Sequence, residues 1–195
     1  IEQTIITSTS EVYGTAKYTP IDEKHPISAQ SPYSASKISA DQLAISYYNS
    51  FQLPIKIIRP FNVYGPRQSS RAVIPSIIIQ ALNNKKEIKL GNVEPSRDFT
   101  YVTDTCNAFL DILKIKNFFG NTLNVGSNNE YTINDIAKKI LEKLNSKTNI
   151  KKDPQRTRSS KSEVVRLVCD NSKILKTTQW KPMIKIEKGL DMTIK

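Results

Sequence analysis

The sequence predicts an α/β fold built around a parallel sheet, and three observations predict it. Short β-branched apolar runs alternate with helical segments along the 195 residues. Two of those runs, residues 3–8 and 55–59, are rich in β-branched residues, as buried strands are. Hydrophobic residues make up 38% and charged residues 24%, the balance of a globular chain rather than a disordered one.

The elements follow in order. Residues 3–8 read as a strand that ends in Ser and Thr at its carboxyl edge. A polar loop with Pro20 and Pro26 separates it from a helix over residues 34–51, begun behind Pro32 and ended by Pro54. Ile38, Leu43, Ala44, Tyr47 and Tyr48 recur at helical spacing and are expected on its buried face. Residues 55–59 form the next strand, and 60–66 a loop at its end. Residues 72–83 read as an apolar helix around Pro75, 87–90 as a short strand, and 104–113 as a helix capped by Asp104. Residues 122–125 are a strand stopped by Gly126. Residues 132–144 are an amphipathic helix, and Thr132 with Asp135 resembles a capping box. The basic, polar stretch 151–162 reads as a loop, 164–168 as a strand, and 171–177 and 186–194 as short helices.

Composition excludes several classes. No apolar run approaches the roughly 18–20 residues of a membrane span, so no membrane partner is expected. The net charge of +11 is uneven: residues 1–130 hold 13 basic and 11 acidic groups, residues 131–195 hold 16 and 7. The lysines of the second part sit among Ile and Leu at helical spacing, which marks a solvated helix face. With no recognition-helix or zinc-finger signature beside them, no nucleic-acid partner is expected. Cys106 and Cys169 match no metal or redox spacing and are expected as buried, reduced thiols of a cytoplasmic protein. The single histidine, His25, leaves no metal site to expect, and its Lys-His-Pro loop places it in solvent.

The six glycines, at 14, 65, 91, 120, 126 and 189, form no Gly-rich turn of the kind that opens a dinucleotide-binding fold. What is present resembles the second half of such a fold, with its N-terminal strands missing. The first residues read as a strand that begins abruptly, with no initiator Met and no signal peptide. The stretch is therefore expected to be a gene fragment that holds a dinucleotide poorly and is inactive alone.

Tyr33 and Lys37 are four apart on the helix and share a face. An ammonium near a phenol favours the phenolate, which makes a proton acceptor usable near neutral pH. Taken alone the spacing is common, and an ordinary helix-surface pair accounts for it. Thr9-Ser10-Glu11 stands where the first strand ends, and ligands of open α/β sheets bind at such ends. A hydroxyl there can meet a substrate oxygen, and a carboxylate can act as a base. Turn chemistry and solvation account for the same residues without any substrate.

Five stretches occur in order: Thr7–Gly14, Ser31–Lys37, Arg59–Arg67, Arg97–Asp104 and Asn124–Gly126. Together they resemble the extended short-chain dehydrogenase/reductase family of nucleotide-sugar epimerases, dehydratases and decarboxylases, over essentially the whole chain. The resemblance implies the C-terminal half of an NAD(P)-binding Rossmann doubly wound sheet plus a small α/β substrate-binding domain. Residues 1–66 and 98–126 would belong to the former, and 67–97 and 127–195 to the nucleotide-sugar-binding domain. It implies Thr9, Ser10, Glu11, Tyr33 and Lys37 as catalytic. Ser8 and Pro60, with Tyr33 and Lys37, would border NAD or NADP. Thr9, Asn62, Arg71, Arg97, Arg158 and Glu163 would hold a nucleotide-activated sugar. Arginine suits phosphate because its planar fork pairs with two oxygens. No metal is implied, and a homodimer through residues 34–51 is.

Within the family, Glu11 points to sugar 4,6-dehydratases, in which oxidation at C4 acidifies the C5 proton and a glutamate removes it. Ser10 occupies the place that holds Asp in deoxythymidine-diphosphate-glucose dehydratases and Ser in GDP-mannose dehydratases. The stretches 31–37, 71–75 and 161–164 resemble GDP- or UDP-N-acetylglucosamine 4,6-dehydratases of legionaminic acid biosynthesis. UDP-glucuronate decarboxylase and a 4-epimerase or reductase are the enzymatic alternatives. A fragment without independent activity is the non-enzymatic one.

Overall fold

The computed structural model describes residues 1–83, 86–156 and 163–195. Strand β1 (Thr4–Thr7) runs into a single 3-10 turn at Ser10–Tyr13. Helix α1 (Pro32–Phe51) returns the chain to β2 (Ile55–Pro60), which lies parallel to β1 with Thr4 opposite Ile55 and Thr7 opposite Ile58. Then come β3 (Asn62–Tyr64), α2 (Val73–Leu82), β4 (Glu87–Leu90), β5 (Ser96–Arg97) and β6 (Phe99–Tyr101). Helix α3 (Val102–Lys114) leads to β7 (Thr122–Val125), β8 (Tyr131–Thr132) and α4 (Ile133–Lys143). The chain closes with β9 (Asn149–Lys152), β10 (Arg166–Leu167), α5 (Ser172–Thr177) and α6 (Ile186–Ile194).

The main sheet is parallel, in the order β1-β2-β7. One face is covered by α1, where Ala44 packs with Ile55 and Ile57. On a separate apolar cluster α3 brings Ala108 and Ile112 against Ile58, Leu123 and Val125, joined by Ile174 and Trp180 from the last third of the chain. The largest core gathers α2, α4, α6 and β4 around Tyr64, Phe99 and Tyr101. Smaller pairs brace it: β4 with β9, β3 with β6, and β5 between β10 and β8. Close packing needs a small residue where α6 crosses Tyr64, and Gly189 supplies it, because a Cβ there would overlap the Tyr64 hydroxyl.

Local signals act as read. Ser31 caps α1 reciprocally with Ser34, with Pro32 in the first turn, and Thr132 and Asp135 form the expected capping box on α4. Other expectations are corrected. Helix α1 buries only Ser34, Asp41 and Ala44. Leu43 and Tyr47 are 60% and 44% exposed, and Ile38 and Tyr48 are half-buried. Periodicity finds an apolar stripe but does not say which face meets the sheet; here an ion pair claims that face.

His25 is buried rather than solvated. Its Nε2 accepts from the Lys17 N–H at 2.9 Å, its Nδ1 donates to the Pro26 carbonyl at 2.8 Å, and its ring stands edge-on to Tyr13. Asp104 lies inside the first turn of α3 and is no cap. Its buried carboxylate accepts the backbone N–H groups of Met183 and Ile184, at 3.0 and 2.8 Å, and so fastens the C-terminal segment. Of the two cysteines only Cys169 is buried; Cys106 faces solvent on α3. The stretch expected as a loop from residue 151 begins as the end of β9, because β4 offers it a parallel partner. The strand expected at 164–168 shortens to β10, paired with β5.

Candidate active site

The site begins where β1 ends. Thr9 has extended backbone, and its hydroxyl accepts the Glu11 N–H at 3.3 Å, capping the 3-10 turn. That turn buries Ser10 and sends Glu11 to the wall of a cavity. Turn chemistry therefore accounts for Thr9 in the structure. Lys37, one helical turn after Tyr33, donates from Nζ to the Thr7 carbonyl at 2.9 Å. The ammonium therefore ties α1 to the end of β1 rather than bonding the phenol. Tyr33 is half exposed, and its hydroxyl has no partner among the described residues.

Behind these groups lies a buried polar chain that sequence reading missed. Asp41, one turn beyond Lys37, is fully buried and pairs with Arg59 of β2 at 2.9 Å. The same carboxylate oxygen accepts the Ser8 hydroxyl at 2.9 Å and the Arg59 Nε–H at 3.0 Å. Arg59 also donates to the Tyr13 hydroxyl at 3.0 Å, which donates to Asn124 at 2.7 Å. Burial pushes the Tyr13 phenol up to about 12, with Arg59 pulling the other way. Tyr13 is thereby locked as a structural donor, which leaves Tyr33 as the free phenol at the strand ends. Ser8, expected beside a cofactor, spends its hydroxyl on Asp41.

The cavity measures about 430 Å³. Five of the expected residues line it: Glu11, Asn62 at the start of β3, Arg71, Arg97 at the end of β5, and Glu163. Arg97 and Glu163 approach to 3.9 Å. Thr9, Ser10, Tyr33, Lys37, Ser8 and Pro60 lie outside its lining, nearer the sheet. Arg158 falls outside the described residues. Among the other lining residues, Gln68, Asn92 and Arg156 bring polar side chains that were not foreseen. Arg156 sat unremarked in the basic stretch 151–162, and Gln68 in the loop just past Gly65 and Pro66.

A carboxylate bolts the small sheet that carries Arg97. Glu130 accepts Arg166 Nε and a second guanidinium nitrogen, both at 2.6 Å, and the Ser96 hydroxyl at 2.5 Å. The Arg166 hydrogen bond holds the Glu130 carboxyl below its usual range. A folded-state value below the unfolded one gives stability that is present above about pH 4.3 and lost as pH falls through the depressed folded value. Thermal melts of Glu130→Gln are expected to show a shallower acid-side loss than wild type. Identical slopes between about pH 5 and 3 would remove the role.

The family described as GDP-mannose 4,6 dehydratase matches residues 2–193. The chain belongs to that family. Relatives of this GDP-mannose 4,6-dehydratase family chain include the dTDP-D-glucose 4,6-dehydratase of Homo sapiens, 32% identical across 100% of this chain and 56% of that protein. The dTDP-D-glucose 4,6-dehydratase of Dictyostelium discoideum is 39% identical over 72% of this chain and 35% of its own length. Among solved structures, the dTDP-glucose 4,6-dehydratase of Bacillus anthracis in complex with NAD superposes with a TM-score of 0.90 at 33% identity. It is matched over 98% of this chain and 60% of its own. The UDP-glucuronic acid 4-epimerase of Bacillus cereus, in complex with UDP-glucuronic acid and NAD, superposes at 0.89 and 30% identity over 97% of this chain and 59% of its own. The chain thus spans between about a third and three-fifths of these proteins. Their fold is the Rossmann type, and the parallel β1-β2-β7 sheet with its flanking helices is part of it. No helix among the described residues is long and apolar enough to cross a membrane.

Proposed function

We propose that the protein carrying this chain is an NAD-dependent nucleotide-sugar 4,6-dehydratase, a lyase that makes a 4-keto-6-deoxy sugar nucleotide. The observation that carries the reading is Glu11: a carboxylate turned into a cavity with three arginines, one residue beyond a strand-end hydroxyl pair. Residues 1–66 and 98–126 would form the cofactor side, and 67–97 and 127–195 the sugar-nucleotide side. The residues fit a dinucleotide at the carboxyl ends of β1 and β2: Tyr33 is open there and Lys37 is fixed there by the Thr7 carbonyl. Held there by Tyr33 and Lys37, NAD, or NADP in its place, would supply the hydride chemistry between sugar C4 and C6.

Everything else falls to the chain. Arg71, Arg97 and Arg156 bind the diphosphate as charge-assisted donors. Thr9 holds the C4 oxygen, and Tyr33 takes the C4 hydroxyl proton as the carbonyl forms. Glu11 then removes the acidified C5 proton and hands it to the departing C6 hydroxyl, which leaves as water with Ser10 beside it; C5 regains a proton from solvent through Glu11 when C6 is reduced. Ser10 is nearly fully buried, so it serves better by ordering the turn than by giving up a proton. GDP- and UDP-N-acetylglucosamine stand first as substrates on the motif resemblance; dTDP-glucose stands beside them because it is in the names of the relatives.

Mass spectrometry of the product tests the reaction class. Loss of one water is expected. Loss of carbon dioxide from UDP-glucuronate would favour decarboxylation, and an unchanged mass with inversion at C4 would favour the epimerase reading that the Bacillus cereus neighbour keeps open. Glu11→Gln is expected to spare C4 oxidation and block elimination, so an oxidised intermediate accumulates. Full dehydration by that variant would end the assignment.

We place the enzyme in the cytoplasm as a homodimer. The support for the homodimer is the exposed apolar stripe of α1, where Leu43, Tyr47 and Phe51 stand 60%, 44% and 68% exposed at four-residue spacing. A Leu43→Asp, Phe51→Asp variant is expected to elute as a monomer. Unchanged elution at the dimer position would rule this face out.

A further inference from the structure

Two charged groups of the cavity wall come from different strands of the small sheet. Arg97 ends β5, and Glu163 lies just before β10. Strands β5, β8 and β10 have 2 residues each. Their backbone ladder is correspondingly short: the Ser96 N–H reaches the Val165 carbonyl at 3.0 Å, and the Asp98 N–H the Leu167 carbonyl at 2.9 Å. Pairings this short need support from side chains. Glu130, the residue before β8, supplies it. Its two oxygens take Arg166 of β10, and one of them also takes the Ser96 hydroxyl of β5. One carboxylate thus joins all three strands. Exposed ion pairs contribute little on average, but a two-pronged guanidinium pair is the exception. Ser96 beneath it is buried. Neighbouring strand residues face opposite sides, so Ser96 meets the clamp while Arg97 meets the cavity. Arg97 and Glu163 are held at 3.9 Å, longer than a hydrogen bond. A slip of β10 along β5 would let them close into a direct pair, which competes with phosphate for the guanidinium.

We propose that Glu130 is a positioning residue for ligand binding: by locking β10 to β5 it sets Arg97, with Glu163 beside it, to receive a diphosphate. This rests on the nucleotide-sugar reading above. Glu130 does not line the cavity, so it acts through the residues that do. Calorimetry with UDP, dTDP and GDP on the protein that carries this chain tests it. Four forms are compared: wild type, Glu130→Gln, Arg97→Met and the double variant. Glutamine keeps the size and an acceptor for Ser96 but loses the charge that holds Arg166. Glu130→Gln is expected to bind the preferred diphosphate about 5–30-fold more weakly, the scale of a charge-assisted hydrogen bond partly lost. In the Arg97→Met background the same change should alter affinity by less than about twofold, because the group it positions is gone. A merely structural role would weaken binding by one factor in both backgrounds, and that result overturns the proposal. A Glu130→Gln affinity equal to wild type overturns it too. Should Glu130→Gln fail to fold, Arg166→Lys takes its place in the cycle, keeping the charge but not the second prong. The same two results then overturn the proposal. If wild type binds none of the three probes, the nucleotide-sugar reading falls, and Glu130's role with it. If wild type binds and the cycle fails, the role alone falls.

Discussion

Asp41→Ala is expected to lower the unfolding free energy by about 3–5 kcal/mol, the cost of stranding one member of a buried ion pair. Asp41 and Arg59 are 0% and 3% exposed, so water cannot replace the lost partner. The loss spreads because one carboxylate oxygen holds both the guanidinium and the Ser8 hydroxyl. Most domains have only about 5–15 kcal/mol in hand, so the single variant will sit near the edge of folding. Asp41→Ala with Arg59→Met is expected to recover much of the loss, since an apolar pair of similar volume leaves no charge unpaired. Urea unfolding of wild type, both single variants and the double variant closes the cycle. An Asp41→Ala midpoint equal to wild type would contradict the energetic role of the pair.

Tyr33→Phe is expected to slow hydride transfer by about 10²–10⁴-fold, the range for a removed general acid–base group. The phenol is half exposed and makes no internal hydrogen bond among the described residues, so its loss should leave stability nearly unchanged. Tyr13→Phe should do the reverse. Its hydroxyl lies between Arg59 and Asn124, so removing it strands buried partners and costs stability rather than chemistry. Single-turnover absorbance of the reduced cofactor, set beside a thermal melt, separates the two. A Tyr33→Phe enzyme of wild-type rate would remove the tyrosine from the mechanism and shift attention to Thr9.

Much of the frame was legible because its signals are short in range. Capping at Ser31 and Thr132 needs only the next three residues, and the strands at 4–7, 55–60 and 122–125 announce themselves by their own β-branched runs. The order of motifs likewise lies in the chain itself, and it pointed to Glu11, Asn62, Arg71, Arg97 and Glu163, which share one cavity.

What the tertiary structure alone decided are the pairings between distant residues. Asp41 and Arg59 are 18 apart, and Tyr13 and Asn124 are 111 apart. A charged residue on a helix reads as solvated until the strand beneath it supplies its counter-charge, so Asp41 was invisible and the outer apolar stripe of α1 passed for its core. Asp104 was misplaced for the same reason, buried because the distant backbone of Met183 and Ile184 satisfies it, whereas His25 is satisfied within its own loop by the Lys17 N–H and the Pro26 carbonyl. The sequence alone determined the parallel α/β frame and the residue types of the site. Folding determined which oxygen is held and which phenol is free.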